Sequence, residues 1–132
     1  MASMDDAEVR RFFEQPHHAV ISTLEEDGSV HSAVVWVDLQ DGRPAVNSAV
    51  GRRWPTNLER DPRATLLVYD ESNPYDYVTV RGTVTGTTDG AEAHIDRLAS
   101  KYLGVETYPA HQEGEQRITY LVEPRAVVHR KG

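Results

Sequence analysis

The basic residues of this chain are concentrated in one short window of an otherwise acidic sequence. The segment "GRRWPTNLERDPR" contains four arginines, whereas the whole chain of 132 residues has a formal net charge of −7. A glycine loop with two adjacent arginines at a predicted helix start offers backbone N–H groups, the positive end of the helix dipole and two guanidinium forks. This combination suits a phosphate, and Arg52 and Arg53 are the first candidates to bind one.

A second interpretation of the same arginines stays open. Adjacent surface arginines commonly form ion pairs with nearby carboxylates, which here are Glu59, Asp61 and Asp70. Arg60 and Arg63 are predicted to be structural, because the segment "RDPR" can connect a helix end to the next strand.

Other residue types give no complete catalytic machinery. The chain has no cysteine, and its six histidines show neither His-Glu-x-x-His nor another compact ligand spacing, so no metal site is predicted. Patterns of serine hydrolases, Walker loops and Rossmann folds are also missing from the sequence. Catalytic residues therefore cannot be assigned, and any reaction is expected to depend on a bound cofactor.

The elements that position these residues can be predicted from hydrophobic periodicity and turn signals. A first helix ends near Gln15, a second covers "WPTNLERD", and a third covers 91–103 with Asp89 as its cap. The predicted strands are 18–24, 30–39, 44–50, 64–71, 75–89 and 116–129, with the first three forming a meander and with bends or bulges at Gly82 and Gly86. The prediction is a mainly-β fold with few α-helices, a six-stranded antiparallel barrel.

Length and charge limit the class of protein. A chain of 132 residues fits a single domain, 1–132. The acidic balance makes nucleic acid an unexpected partner. No apolar run approaches the roughly 20 residues that span a bilayer, and no signal peptide core is present, so we expect a cytoplasmic protein without a membrane partner.

The order of three segments resembles a known family. "HHAVISTLEEDGSVHSAVVWV", "NSAVGRRWPTNLERDPRATLLVYD" and "YDYVTVRGTV" are similar to the flavin- and deazaflavin-binding split β-barrel proteins related to pyridoxamine 5′-phosphate oxidase. The likeness is greatest to the small actinobacterial enzymes that use the deazaflavin coenzyme F-420, and "NLERDPRATLLV" is its most specific element. The resemblance implies an FMN-binding split-barrel fold and a homodimer with the cofactor in a groove at the subunit interface.

The resemblance also implies which positions contact the cofactor. The strand that begins at Val30 would run beside the ring, and the loop before the second helix would hold the phosphate end. Two tyrosines would come from the partner subunit. The implied cofactor-binding residues are His31, Ser32, Ala33 and Val34 at the ring, Ser48, Gly51, Arg52, Arg53, Trp54 and Asn57 toward the phosphate, and Tyr75 and Tyr77 from the partner.

The function that the resemblance implies is hydride transfer from reduced F-420 to an electron-poor double bond of a small-molecule substrate. Two alternatives stay open: an FMN-dependent oxidoreductase of the pyridoxamine phosphate oxidase type, and a non-catalytic protein that binds flavin, deazaflavin or haem. Pyridoxamine phosphate oxidases typically have Ser-Arg-Lys where this chain has Gly51-Arg52-Arg53. This difference favours the F-420-dependent function over pyridoxamine phosphate oxidation.

Overall fold

The computed structural model describes residues 2–132 and contains one antiparallel sheet with three helices. The helices are α1 (Ala7–Glu14), α2 (Arg53–Arg60) and α3 (Ala91–Leu103). The strands are β1 (Ala19–Leu24), β2 (Val30–Val35), β3 (Val37–Gln40), β4 (Arg43–Ala49), β5 (Arg63–Asp70), β6 (Asn73–Thr87) and β7 (Arg117–Arg130). Within residues 2–132, no helix is long and apolar enough to cross a membrane.

The two edge strands of the sheet are joined by a single residue. The strand order is β2-β1-β5-β6-β7-β4-β3, so β2 and β3 lie at opposite edges. Only Trp36 separates the end of β2 from the start of β3, and three consecutive Cα atoms span less than about 8 Å. The sheet must therefore curl until its two edges meet at Trp36, which gives the predicted mainly-β, barrel-like fold.

Two details of the predicted strands are wrong. The expected single strand 30–39 is divided at Trp36, so the sheet has seven strands instead of six. The expected meander is also interrupted, because β1 pairs with β2 and β3 pairs with β4, but β2 and β3 do not pair. Both differences follow from barrel closure, since the chain has to pass from one edge of the sheet to the other at this point.

The third helix begins differently from the prediction. Its N-cap position is Gly90, whose φ of 72° lies in the left-handed region, and no side chain caps it. Asp89 is therefore not the cap, because the sharp turn at Gly90 brings the chain into the helix.

The two glycines of β6 permit close approach of β7. The register shifts between Arg81 and Gly82, which confirms the bulge predicted there. A Cβ atom at Gly82 would lie 2.0 Å from the carbonyl oxygen of Glu123, and one at Gly86 would lie 2.6 Å from the Tyr120 ring. Gly86 thus accommodates an aromatic side chain, and no register shift occurs there.

The interior is a continuous apolar core. Phe12 and Phe13 of α1 are buried against the concave side of the sheet, together with strand residues such as Ile21, Leu66 and Val80. Burial of these large side chains supplies the main driving force for folding.

Helix α3 fastens the junction between β2 and β3. The Tyr102 hydroxyl accepts a hydrogen bond from the Val37 N–H at 3.1 Å and donates to the His17 carbonyl oxygen at 2.5 Å. The Lys101 amine donates to the carbonyl oxygens of Val37 and Phe13. The Trp36 ring stacks on the Tyr102 ring, with centroids 5.3 Å apart and an interplanar angle of 10°. Two consecutive helix residues therefore hold the backbone where the barrel closes.

Burial changes the acidity of both residues. Loss of hydration lowers the pKa of Lys101 to about 8 from an ordinary value of 10.5, and it raises the pKa of Tyr102 to about 12 from 10.0.

These shifts predict opposite pH dependences of stability. Between about pH 8 and 10.5 the folded protein has lost the Lys101 proton while the unfolded chain keeps it, so the free energy of unfolding rises with pH. Above pH 10 the unfolded chain loses the Tyr102 proton first, so this free energy falls as pH approaches 12. We expect urea denaturation of Lys101→Met to lack the rise and that of Tyr102→Phe to show a smaller fall, since burial also raises the pKa of Tyr120. Identical profiles of the wild type and both variants would contradict the assignment.

Candidate functional site

A cavity of about 200 Å³ opens beside the junction where the barrel closes. Its wall is formed by the end of β2, by β4, by the start of α2, by one face of α3 and by the segment that leads into β7. Four of the residues predicted to bind a cofactor belong to this wall. The lining residues are Val34, Val35, Trp36, Asn47, Ser48, Arg52, Trp54, Ile95, Leu98, Tyr108 and Arg117.

The turn between β4 and α2 brings the predicted phosphate loop to the cavity. Ser48 is buried near the end of β4, and Gly51 turns the chain with a φ of 95°. Arg52 is the N-cap of α2, and Trp54 is buried in the first helical turn with its ring 5.6 Å from that of Tyr120. Because φ is positive at Gly51, a side chain there would strain the turn.

Arg52 and Arg53 extend to different sides of this turn. Arg52 lines the cavity, and its Nη2 donates to Glu115 Oε2 at 2.8 Å. Arg53 lies outside the cavity lining and donates from Nη1 to both carboxylate oxygens of Glu25, at 2.9 and 3.1 Å. Both arginines form ion pairs, but with partners distant in sequence instead of the expected Glu59, Asp61 or Asp70.

The other two arginines of the window tie elements together, as the sequence indicates. Arg60 donates to the Leu24 carbonyl oxygen at 2.6 Å and to Asn57 Oδ1 at 3.1 Å. Arg63 forms two hydrogen bonds with Asp61, at 3.0 and 2.7 Å, and this contact lowers the pKa of Asp61 to about 2.

A buried arginine that the sequence did not indicate forms the far wall of the cavity. The side chain of Arg117 is 3% exposed and that of Glu115 is 7% exposed, and Arg117 Nη1 lies 2.9 Å from Glu115 Oε1. Arg117 Nε donates to Asn47 Oδ1 at 2.9 Å, and its guanidinium carbon lies 5.3 Å from the centre of the Tyr108 ring. Glu115 therefore connects Arg52 and Arg117 through its two oxygens.

Behind Arg117, a second polar group extends to the surface. Since Asn47 Oδ1 accepts from Arg117, its Nδ2 must donate, and His94 Nδ1 lies 3.1 Å away. His94 Nδ1 also lies 3.0 Å from Thr119 Oγ1, and its Nε2 lies 2.9 Å from Asp38 Oδ1. His94 is buried and lies outside the cavity lining. This network fixes α3 to β4 and holds Asn47 in one orientation.

Strand β2 places the predicted ring-binding residues on two faces. Val30, Ser32 and Val34 are exposed, whereas His31 and Ala33 are partly buried on the opposite face. Val34 is 70% exposed and also borders the cavity. Ser32 Oγ lies 2.9 Å from Ser22 Oγ on β1. The four positions therefore lie on two opposite faces of one strand, and only Val34 among them lines the cavity.

Eight of the twelve predicted residues lie outside the cavity lining, and three of them are Asn57, Tyr75 and Tyr77. Asn57 is buried, and its amide donates to Thr23 Oγ1 at 3.1 Å and accepts from Arg60. Tyr75 and Tyr77 lie at the start of β6, and Tyr75 is 76% exposed. Within one copy of the chain, the structure does not bring them to the cavity.

A larger cleft of about 840 Å³ lies on the sheet between β2 and β7. It contains none of the predicted cofactor-binding residues, although Val30 is part of its lining together with Arg63, Arg81 and Arg125. The smaller cavity is the better candidate site, because the predicted loop and the predicted strand reach it and because Arg52 and Arg117 line it.

The chemistry of the candidate site is cationic and aromatic. Within the described chain, no aspartate, glutamate or histidine lines the cavity, whereas two arginines do. Two tryptophans and Tyr108 supply flat apolar surfaces. Such a site can bind and orient an anionic or planar molecule, but its lining has no acid–base pair.

One signal for this site can be found in the sequence but was overlooked. Glu115 and Arg117 stand two residues apart at the start of a strand whose alternate residues Arg117 and Thr119 face inward. A charged residue at an inward position requires a buried partner, and the nearby glutamate could have been identified as that partner.

A family model agrees with this fold over nearly the whole chain. Residues 5–130 match the family described as "Pyridoxamine 5'-phosphate oxidase". No curated protein matches the chain significantly.

Solved structures give the same result for the fold. One described as an F-420 reductase has a TM-score of 0.81 and 24% identity, covering 93% of this chain and 98% of that chain. A conserved hypothetical protein from Mycobacterium tuberculosis has a TM-score of 0.76 and 20% identity, covering 97% and 85%. A heme binding protein from Mycobacterium smegmatis has a TM-score of 0.69 and 21% identity, covering 96% and 53%. At these identities the likeness shows the fold alone.

Proposed function

We propose, starting from the fact that this chain belongs to the pyridoxamine 5′-phosphate oxidase family, that it is a reductase that uses the deazaflavin coenzyme F-420. The observation that carries the proposal is the cavity at the barrel junction, which is lined by two arginines and aromatic rings and by no acid or histidine of the described chain. A site of this composition binds and positions reactants, while a cofactor supplies the chemistry.

The residues present fit the phosphate end of such a cofactor. Arg52 lines the cavity at the N-cap of α2, where unpaired backbone N–H groups and the helix dipole favour an anion. Ser48 adds a hydroxyl on the same wall. Arg53 lies outside the cavity lining and is paired with Glu25, so we assign the larger share of phosphate binding to Arg52.

The exposed strand β2 fits the ring system. Ser32 and Val34 present a small hydroxyl and an apolar side chain on its open face, and His31 and Ala33 lie behind them. Trp54 closes the cavity below this strand. These groups would orient a planar ring and exclude water from one side of it.

When bound, reduced F-420 supplies a hydride for an electron-poor double bond. The protein's own contribution is to bind, to orient and to hold positive charge near the acceptor. We assign no side chain as proton donor, because no carboxylate or imidazole of the described chain lines the cavity. The deazaflavin is preferred to FMN because the solved structure with a TM-score of 0.81 is described as an F-420 reductase.

A homodimer is part of this proposal. Val30 and Val34 are 65% and 70% exposed on one face of the edge strand β2, and Tyr75 is exposed at the start of β6. Exposed apolar side chains on a sheet face favour association with another protein surface. A second copy would cover them and would bring its Tyr75 and Tyr77 to the cofactor.

The first experiment is a titration of the purified protein with F-420 and with FMN, preceded by an absorbance spectrum. We expect selective binding of F-420, and oxidation of reduced F-420 with at least one compound in a panel of enones and quinones. A protein isolated with bound flavin, or one that prefers FMN, would instead support the FMN-dependent alternative. Binding without turnover on any acceptor would support a non-catalytic binder.

Exchange of the two loop arginines tests the phosphate site. Charge-assisted hydrogen bonds contribute roughly 1.5–3 kcal/mol each, so we expect Arg52→Ala to weaken F-420 binding at least tenfold and Arg53→Ala to weaken it less. The matched control is Arg43→Ala, which removes an arginine of β4 that is partly exposed and paired with Glu123 of β7. Equal affinity of all three variants and the wild type for F-420 would show that neither loop arginine binds the cofactor phosphate.

The dimer can be tested at Tyr75. A carboxylate in a buried interface is strongly unfavourable, so Tyr75→Glu should raise the dimer dissociation constant at least tenfold in sedimentation equilibrium. Cofactor affinity should fall with it. Leu103→Glu changes another exposed apolar residue, at the end of α3, and should leave both properties unchanged. A Tyr75→Glu variant that dimerises normally would argue against this interface.

A further inference from the structure

The guanidinium of Arg117 has one nitrogen that is not used inside the protein. Its Nε donates to Asn47 and its Nη1 donates to Glu115. Among residues 2–132, no group accepts a hydrogen bond from Nη2, and no fully enclosed side-chain nitrogen or oxygen lacks a partner. Nη2 must therefore reach open space. Since the side chain is only 3% exposed and lines the cavity, that space is the cavity.

The charges around the cavity do not balance. Arg52 and Arg117 share a single carboxylate, that of Glu115, which bonds one arginine with each oxygen. No other acid of the described chain lines the cavity. Glu115 neutralises the buried Arg117, and the remaining positive charge is that of Arg52, whose side chain is 48% exposed. An anion that enters the cavity would compensate it.

The size of the cavity limits this anion. A cavity of about 150 Å³ is known to hold benzene, so the volume of about 200 Å³ found here accepts a group of similar size with a small substituent. Trp36, Trp54 and Tyr108 in the wall suit a planar body.

We propose that Arg117 binds a carboxylate of the substrate, and that the acceptor is a small, planar, unsaturated carboxylic acid. This inference rests on the proposed reductase function, because it names the substrate class of the same site. Glu115 and Asn47 act as positioning residues, since they hold the guanidinium on two edges and leave Nη2 directed to the ligand. Arg52, on the opposite side of Glu115, remains available to the cofactor.

The intrinsic tryptophan fluorescence of the chain can report ligand binding in the cavity. Its only two tryptophans, Trp36 and Trp54, both line the cavity, so ligand entry should change the intrinsic fluorescence. We would titrate the protein with benzoate and with benzamide, which have nearly the same shape but differ in charge. Benzoate should bind at least tenfold more tightly than benzamide. Equal affinities would overturn the proposal.

Variants assign the preference to Arg117. Arg117→Met should reduce benzoate affinity to that of benzamide, and Arg117→Lys should retain part of the preference because it keeps the charge beside Glu115. Arg125→Met changes another arginine of the same strand, outside the cavity, and should bind benzoate like the wild type. Unchanged benzoate preference in Arg117→Met would overturn the proposal. If Arg117→Met does not fold, the ratio of benzoate to benzamide affinity in the wild type and in Arg117→Lys decides whether the proposal holds.

An anion at Arg117 could also be the cofactor's phosphate, so a second arm separates the two sources. Benzoate would be titrated again in the presence of saturating F-420. Undiminished binding supports a separate substrate position, whereas competitive displacement overturns it. The F-420 titration by itself tests the proposed function: a protein that binds no F-420 but still prefers benzoate loses the reductase assignment and keeps the carboxylate site. A protein that binds F-420 but does not prefer benzoate to benzamide keeps the reductase assignment and loses the carboxylate site.

Discussion

The fold depends on a single covalent constraint, the one-residue link at Trp36 between the two edge strands of the sheet. Because β2 and β3 are neighbours in the chain and lie at opposite edges of the strand order, the seven strands must curl into a barrel. The same curl brings the end of β2 against β4 and α2, and the cavity lies in this seam. Trp36, stacked on Tyr102 of α3, is therefore both the closing point of the barrel and a wall of the candidate site.

Glu115 has a comparable position among the charges. It lies between two arginines that come from distant parts of the chain, one at the start of α2 and one at the start of β7. The buried Glu115 carboxylate without a partner would be strongly unfavourable, and so would the buried Arg117 guanidinium alone. The triad is thus stable only when the β4–α2 turn and β7 are in their final places. Folding of the barrel and assembly of the cationic site are in this way the same event.

Much of the fold could be predicted from the sequence, and less of the site. Local signals located the three helices and most strand segments, and an irregularity was correctly predicted at Gly82, although the unpaired residue there is Arg125 of β7. The division of the strand at Trp36 was missed because barrel closure is a long-range requirement that no local pattern expresses. Arg117 was missed because two residues that fix its place in the site are far away in sequence. Asn47 accepts its hydrogen bond, and Arg52 shares the Glu115 carboxylate with it. Which carboxylates pair with Arg52 and Arg53 was likewise decided by tertiary structure.

The separation of Arg52 and Arg53 follows from helix geometry. Arg52 is the N-cap residue, with an extended backbone, and Arg53 is the first helical residue, so the two adjacent side chains leave the turn in different directions. Here one faces the cavity and Glu115, and the other faces Glu25 on the turn between β1 and β2. A phosphate at this loop would therefore be bound by one arginine together with the backbone N–H groups of α2. The second positive charge at the cavity comes from Arg117, across the barrel seam. In the arrangement that we propose, the cofactor and the charged substrate would lie on different sides of Glu115.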